Sequence, residues 1–264
     1  MIEIKNFCKD YSSFPHKKSD FSVKDISMKI VPQKVTALLG PNGSGKSTIM
    51  KAVCGFHYPT SGTILLSDND GRTVDVSEKP ELAANLVGYV PEQSVLPPEM
   101  KVLDFLRYTG EIHGLSGKML QQAVENVIEK CSLEEVGQEA KEAVLEKKIK
   151  KLSKGYRQRV SFAQAIIHNP PNLILDEAVT GLDPAQIIQM RNLIKDLSKN
   201  TSILLSTHIL QEVDSLCDEI FIIKKGKICI SGTEEEIKAA EKTETLEQAF
   251  FKIITDEAGR KNEK

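Results

Sequence analysis

The chain has 264 residues, 40% of them hydrophobic and 27% charged, with a formal net charge of −2. That balance suits a globular protein with a sizeable core and gives no global reason to expect nucleic acid or an anionic membrane surface as a partner. No apolar run approaches the roughly 20 residues that cross a bilayer as a helix, so direct membrane insertion is not expected. Five scattered cysteines, Cys8, Cys54, Cys131, Cys217 and Cys229, form no CxxC pair. They are expected as free thiols in a reducing compartment.

In chain order, Ile2-Glu3-Ile4 alternates as a strand does, and no targeting segment is expected ahead of it. Val35–Leu39 reads as a buried strand. Gly62–Arg72 and Val74–Val76 read as a hairpin around the polar turn Ser67-Asp68-Asn69-Asp70-Gly71. Leu86–Val90 is a further buried strand. From about Val102 to Gln164 the chain is rich in Leu, Lys, Glu, Gln and Ala, which predicts a mainly helical lobe. Leu173–Leu175, Ser202–Leu205 and Ile220–Ile223 are strands again, and Ile187–Leu197 has the apolar spacing of a helix. After Gly232 the tail predicts helices over Glu234–Lys242 and Leu246–Ile254, with a frayed end at Gly259–Lys264. Strands alternating with helices predict an α/β fold with a mainly parallel sheet covered on both faces.

Gly40-Pro41-Asn42-Gly43-Ser44-Gly45-Lys46-Ser47 fits GxxxxGK[ST] without a mismatch, between a strand and a helix-compatible run from Thr48. Glycines let successive N–H groups curl around phosphate oxygens, and the following helix turns its positive end to the same anion. Lys46 supplies a cation for the β- and γ-phosphates, and Ser47 a hydroxyl for Mg²⁺, a hard ion that prefers oxygen. A plain glycine turn with an incidental lysine would not carry the whole pattern. Alone, though, the loop does not separate kinase, GTPase and transporter motor.

Asn172–Asp176 ends a buried run in the carboxylates Asp176 and Glu177. Asp176 suits the magnesium shell, and Glu177 suits a general base that aligns attacking water. An ordinary solvated strand end is the competing reading, and the phosphate loop's need for a magnesium carboxylate weighs against it.

Leu152-Ser153-Lys154-Gly155-Tyr156-Arg157-Gln158-Arg159 resembles the LSGGQ-type signature of the ABC ATPases. Ala178–Pro184 resembles the family's D-loop, Ser206-Thr207-His208 its switch histidine, Gln93 its Q-loop glutamine, and Tyr11 its adenine-stacking aromatic. The match is collinear over roughly residues 1–235. The resemblance implies a P-loop NTPase with a RecA-like, mainly parallel core, an antiparallel β subdomain and a helical lobe inserted at about 98–162. A short helical tail, 236–264, would follow. It implies ATP and Mg²⁺ as ligands, with Ser47, Asp176 and Gln93 around the metal and Glu177, His208 and Gln93 in hydrolysis. It also implies a head-to-tail dimer in which Ser153 and Gly155 of a second copy complete each ATP site. The partner would be an integral-membrane permease that holds the chain at the inner face of the cell membrane. The pattern looks most like bacterial drug, polysaccharide and gliding-motility exporters.

Two departures stand out: Lys154 and Tyr156 replace Gly and Gln in the signature, and Ala178-Val179 lacks the usual proline, with its fixed φ, after Glu177. The basic run Lys147–Lys151 has no interleaved aromatics and is expected as a solvated face, not a nucleic-acid patch. His16, His57, His113 and His168 show no metal spacing and are expected as surface or capping residues. Val95–Met100 is a candidate apolar dock for the permease. The competing functions are a soluble ABC ATPase acting on a cytosolic assembly and a nucleotide-gated binding protein with little turnover.

Overall fold

Period-two alternation within the short apolar runs decides which layer each strand residue joins. The computed structural model describes residues 1–11, 22–134 and 144–255. His16, the loop expected after Tyr11 and the end expected to fray at 259–264 lie outside the described residues. The first half of the chain gives β1 (Ile2–Asp10), β2 (Ser22–Ile30), β3 (Val35–Leu39), α1 (Lys46–Val53), β4 (Ser61–Ser67), β5 (Thr73–Asp75), α2 (Pro80–Ala84) and β6 (Val87–Val90). Next come α3 (Val102–Ile112), α4 (Gly117–Lys130) and α5 (Lys154–Ile166). The remainder gives β7 (Asn172–Asp176), α6 (Pro184–Ser198), β8 (Ser202–Thr207), α7 (Leu210–Leu216), β9 (Glu219–Lys224), β10 (Lys227–Gly232), α8 (Glu234–Glu241) and α9 (Leu246–Thr255).

Two sheets form. The larger has the order β10-β9-β3-β8-β7-β6, parallel except for the β9–β10 pair. The smaller, β2-β1-β4-β5, is antiparallel throughout. Along β7, Leu173 and Leu175 face the helices α3 to α6, while Ile174 faces α1 and the antiparallel sheet. Ile203 and Leu205 split from Leu204 on β8 in the same way. Both faces are therefore covered, which is why these strands are apolar without a polar side.

The helices after Gly232 are not a loose tail. Ile237, Leu246, Ala249 and Phe250 share a core cluster with Ala37 and Leu39 of β3 and with Ile220 and Ile222 of β9. A capping box fixes the start of α8: Thr233 Oγ1 accepts from Glu236 N–H, and the Glu236 carboxylate accepts from Thr233 N–H. All five cysteines are free thiols, and burial pushes that of Cys131 up to about 12. Among the described residues, no helix is long and apolar enough to cross a membrane.

Candidate functional site: a phosphate loop facing an acidic strand end

The parallel strands β3, β7 and β8 point their C-terminal ends the same way, and the loops leaving them meet there, where open α/β sheets hold ligands. The loop after β3 turns through left-handed backbone at Gly43 (φ 76°) and Gly45 (φ 114°), conformations that other residues adopt at a cost. Lys46, 5% exposed, opens α1 and folds back over the loop. Its Nζ donates to the Gly40 carbonyl at 2.7 Å and the Pro41 carbonyl at 3.3 Å. Burial lowers its pKa, while the carboxylates of Glu177 and Asp176 oppose that shift. Among the described residues, the buried Ser44 hydroxyl has no hydrogen-bond partner. A left-handed glycine loop, an unpartnered hydroxyl, a helix N-terminus and a buried cation suit a phosphate chain.

Opposite the loop, Asp176 and Glu177 end β7. Asp176 Oδ1 lies 3.4 Å from Ser47 Oγ and accepts from Ser206 Oγ at 2.5 Å, while Oδ2 accepts from Tyr89 O–H at 3.5 Å. Burial, then the Asp176 charge, raises the Tyr89 pKa, so the phenol stays a donor. A serine hydroxyl and a carboxylate side by side are the hard oxygen donors that Mg²⁺ takes along with its waters. The Glu177 carboxylate sits between Lys46 and His208: Oε1 lies 3.7 Å from Lys46 Nζ and Oε2 lies 3.1 Å from His208 Nδ1. Glu177 itself adopts φ 48°, the left-handed region that non-glycine residues seldom enter. Its N–H donates to the carbonyl (3.1 Å) and hydroxyl (3.2 Å) of Ser206, and its carbonyl accepts from Thr180 N–H at 3.2 Å. The turn is thus fixed without a proline.

The other motif residues fall into two groups. Gln93, Glu92, Ser47 and Asp176 line one cleft of about 780 Å³. Tyr11, 40% exposed, donates to Thr48 Oγ1 at 3.2 Å beside the first turn of α1. Ser153 and Gly155 belong elsewhere: Ser153 caps α5 by accepting from Tyr156 N–H at 3.3 Å, and Gly155 packs on Gln186. Among the described residues, neither has a hydrogen bond to the phosphate loop.

Two readings change. His168, expected as a surface or capping residue, stacks on His113 with centroids 3.7 Å apart, and burial lowers its pKa to about 4. Within Val95–Met100 the apolar face is broken: Val95 projects, at 89% exposed, while Leu96 and Met100 pack partly against the core. The basic run, expected as a solvated face, is exposed at Lys148 and Lys150, which both pair with exposed Glu99, at 3.1 and 2.7 Å. The residues missed from sequence are Ser206, Tyr89 and Gln158. Ser206 is reached only through the pairing Asp176↔Ser206, a register that local pattern does not give.

The ABC transporter family profile matches residues 23–180. The ABC transporter ATP-binding protein YxlF of Bacillus subtilis is 33% identical over 243 residues, 92% of this chain and 74% of that one. The Nod factor export ATP-binding protein I of Cupriavidus metallidurans is 32% identical, over 81% of this chain and 67% of that one. A solved structure of an ATP-binding subunit of an ABC transporter superposes with a TM-score of 0.80 at 27% identity, covering 96% of this chain and 98% of that one. With the strand–loop–helix, the acidic strand end and the signature helix in one chain, this protein belongs to the ABC transporter family and is an ATP-binding ATPase of it.

Proposed function

We propose that the chain works as a pair of copies closing head to tail over two ATP molecules and driving a separate integral-membrane permease. The observation that carries this reading is the Glu177 carboxylate, placed between Lys46 and His208 across from the phosphate loop. Ser153 and Gly155, the other phosphate-binding elements the family pattern implies, sit at the N-terminus of α5 with, among the described residues, no hydrogen bond to this loop, as half of a site shared between copies would require.

When ATP enters, Lys46 exchanges the Gly40 and Pro41 carbonyls for β- and γ-phosphate oxygens, and Tyr11 stacks on adenine. Ser47, Asp176 and Gln93 would hold Mg²⁺, partly through water, and the ion would supply positive charge to offset that on the phosphate oxygens. Glu177 accepts the proton of the attacking water as the bond from water oxygen to γ-phosphorus forms and the bond to the ADP oxygen breaks. His208 holds the Glu177 carboxylate in position. ATP favours the closed pair and hydrolysis releases it, a population shift set by differential affinity. The permease docks on the cleft beside Gln93 and the projecting Val95, which places the chain peripherally on the inner face of the membrane. The name of the Cupriavidus relative favours export.

Glu177→Gln keeps the shape of the side chain and removes the base. It should bind ATP, lose about 10²- to 10⁴-fold in turnover and accumulate as a dimer in Mg-ATP during size-exclusion chromatography. A variant that stays monomeric while binding ATP refutes the pairing. Affinity purification from membranes should recover a polytopic protein with the tagged chain.

A further inference from the structure

Gln158 lies on α5, five positions after Ser153, and is only 6% exposed. Both ends of its amide are used. Nε2 donates to the Ala178 carbonyl at 2.6 Å, and Oε1 accepts from Ser94 Oγ at 2.9 Å. Ser94 stands between Gln93 and the projecting Val95. Ala178 directly follows Glu177. One buried side chain therefore bridges three segments: the stretch after β6, the signature helix and the turn that carries the catalytic carboxylate.

Neither bond belongs to a helix or sheet ladder, so this side chain links segments that no ladder hydrogen bond joins among the described residues. The turn it grips is the strained one. Glu177 holds φ 48° with its N–H tied to Ser206 and its carbonyl to Thr180. The peptide after Ala178 is tied to Gln158 instead. A shift of Ser94 rotates or releases the amide, and the Ala178 carbonyl then loses its donor in a buried place, where an unpaired carbonyl is costly. The glutamine itself touches no reacting atom.

We propose that Gln158 is a positioning residue. It reports the location of the Gln93–Val95 segment to the Glu177 turn and so sets whether the carboxylate is aimed for hydrolysis. This rests on the assignment of Glu177 as the base.

Gln158→Glu is the sharpest variant, because it keeps shape and the acceptor for Ser94 but sets an acceptor against the Ala178 carbonyl. It should lower kcat for ATP about tenfold to a hundredfold, the scale of a misplaced catalytic group, with KM changed less than about twofold because the phosphate loop is untouched. Ser94→Ala cuts only the outer bond and should lower kcat by a smaller factor. In the Glu177→Gln background, single-turnover hydrolysis should fall no further on adding either change, because both act through that carboxylate. Wild-type kcat in Gln158→Glu overturns the proposal. So does a loss repeated at full size in the Glu177→Gln background, which marks a purely structural role. If Gln158→Glu does not fold, Ser94→Ala decides alone: unchanged kcat overturns the proposal, and a reduction absent in the Glu177→Gln background supports it. If Glu177→Gln by itself leaves turnover intact, the assignment of the base fails first, a result separable from failure of the bridge.

Discussion

Gly88→Ala tests whether the spacing between sheet and signature helix sets activity. Gly88 lies on β6, which among the described residues pairs with β7 and forms one edge of the larger sheet. A Cβ there would fall 2.1 Å from the Ala165 carbonyl oxygen on α5, where real contacts are at least 3.0 Å, and 3.1 Å from Leu173 Cδ1. The nearest obstacle is backbone, so no side chain can swing aside. The helix and strand must separate by 0.9 Å, the difference between 3.0 and 2.1 Å. Overpacking of this kind costs about 1–3 kcal/mol, which at about 2–4 °C per kcal/mol for a chain of this size lowers Tm by about 2–12 °C. If α5 moves, Ser153, Gly155 and Gln158 move with it. If β6 moves, it carries Gln93. Either displacement approaches 1 Å, enough for about tenfold or more in turnover, while ATP affinity at the untouched loop stays within about twofold. Thermal melting, nucleotide-analogue fluorescence and phosphate release measure the three quantities. Wild-type Tm with wild-type turnover would refute the close-approach argument.

Lys46→Ala removes the cation folded over the loop and should abolish ATP binding in a fluorescence titration; wild-type affinity would show that the loop is not the phosphate site. His168 gives a pH dependence. Its folded pKa, about 4, is below the ordinary 6.5, because burial and then the neighbouring His113 disfavour the charged ring. Above pH 6.5 both folded and unfolded states are neutral and His168 has no effect on stability. As pH falls from 6.5 to about 4 the unfolded chain takes up the proton first, so stability drops, and below that the loss is complete. A gap of about 2.5 pH units at about 1.4 kcal/mol each amounts to a few kcal/mol. His168→Gln should flatten that part of the acid limb in urea denaturation curves measured between pH 7 and 4, and an unchanged slope would refute the assignment.

Sequence marked the candidate site wherever its motifs are contiguous residues. Gly40–Ser47 needs only its own glycines, lysine and hydroxyl to be recognised, and Asp176-Glu177 needs only the strand before it. The same holds for buried strands, whose apolar runs reflect helices on both faces. What escaped depends on register. Ser206 meets Asp176 because β7 and β8 pair in one alignment out of several that their patterns allow. Tyr89 reaches Asp176 through the neighbouring β6. Gln158 looks like any polar residue on a helix until α5 is buried from several sides. The tail's place in the core was hidden for the same reason: Ile237, Leu246 and Phe250 show amphipathic spacing, but not which sheet face they cover.

The two departures from the family's pattern meet at one place. A proline after Glu177 would fix a backbone angle; here Ala178 and Val179 are 2% and 1% exposed, and packing restricts them instead. The Glu177 N–H is anchored on Ser206, and the Ala178 carbonyl on Gln158. Lys154, where the signature usually has glycine, extends its ammonium over Gly181 and donates to the Thr180 carbonyl at 3.2 Å. Exposed as it is, that bond adds little to global stability, but it ties the start of α5 to the far end of the same turn. A backbone restraint at one position is thus replaced by contacts from Ser206, Gln158 and Lys154. Loss of the proline therefore does not by itself imply a slack turn after Glu177, because α5 ties that turn at the Ala178 and Thr180 carbonyls.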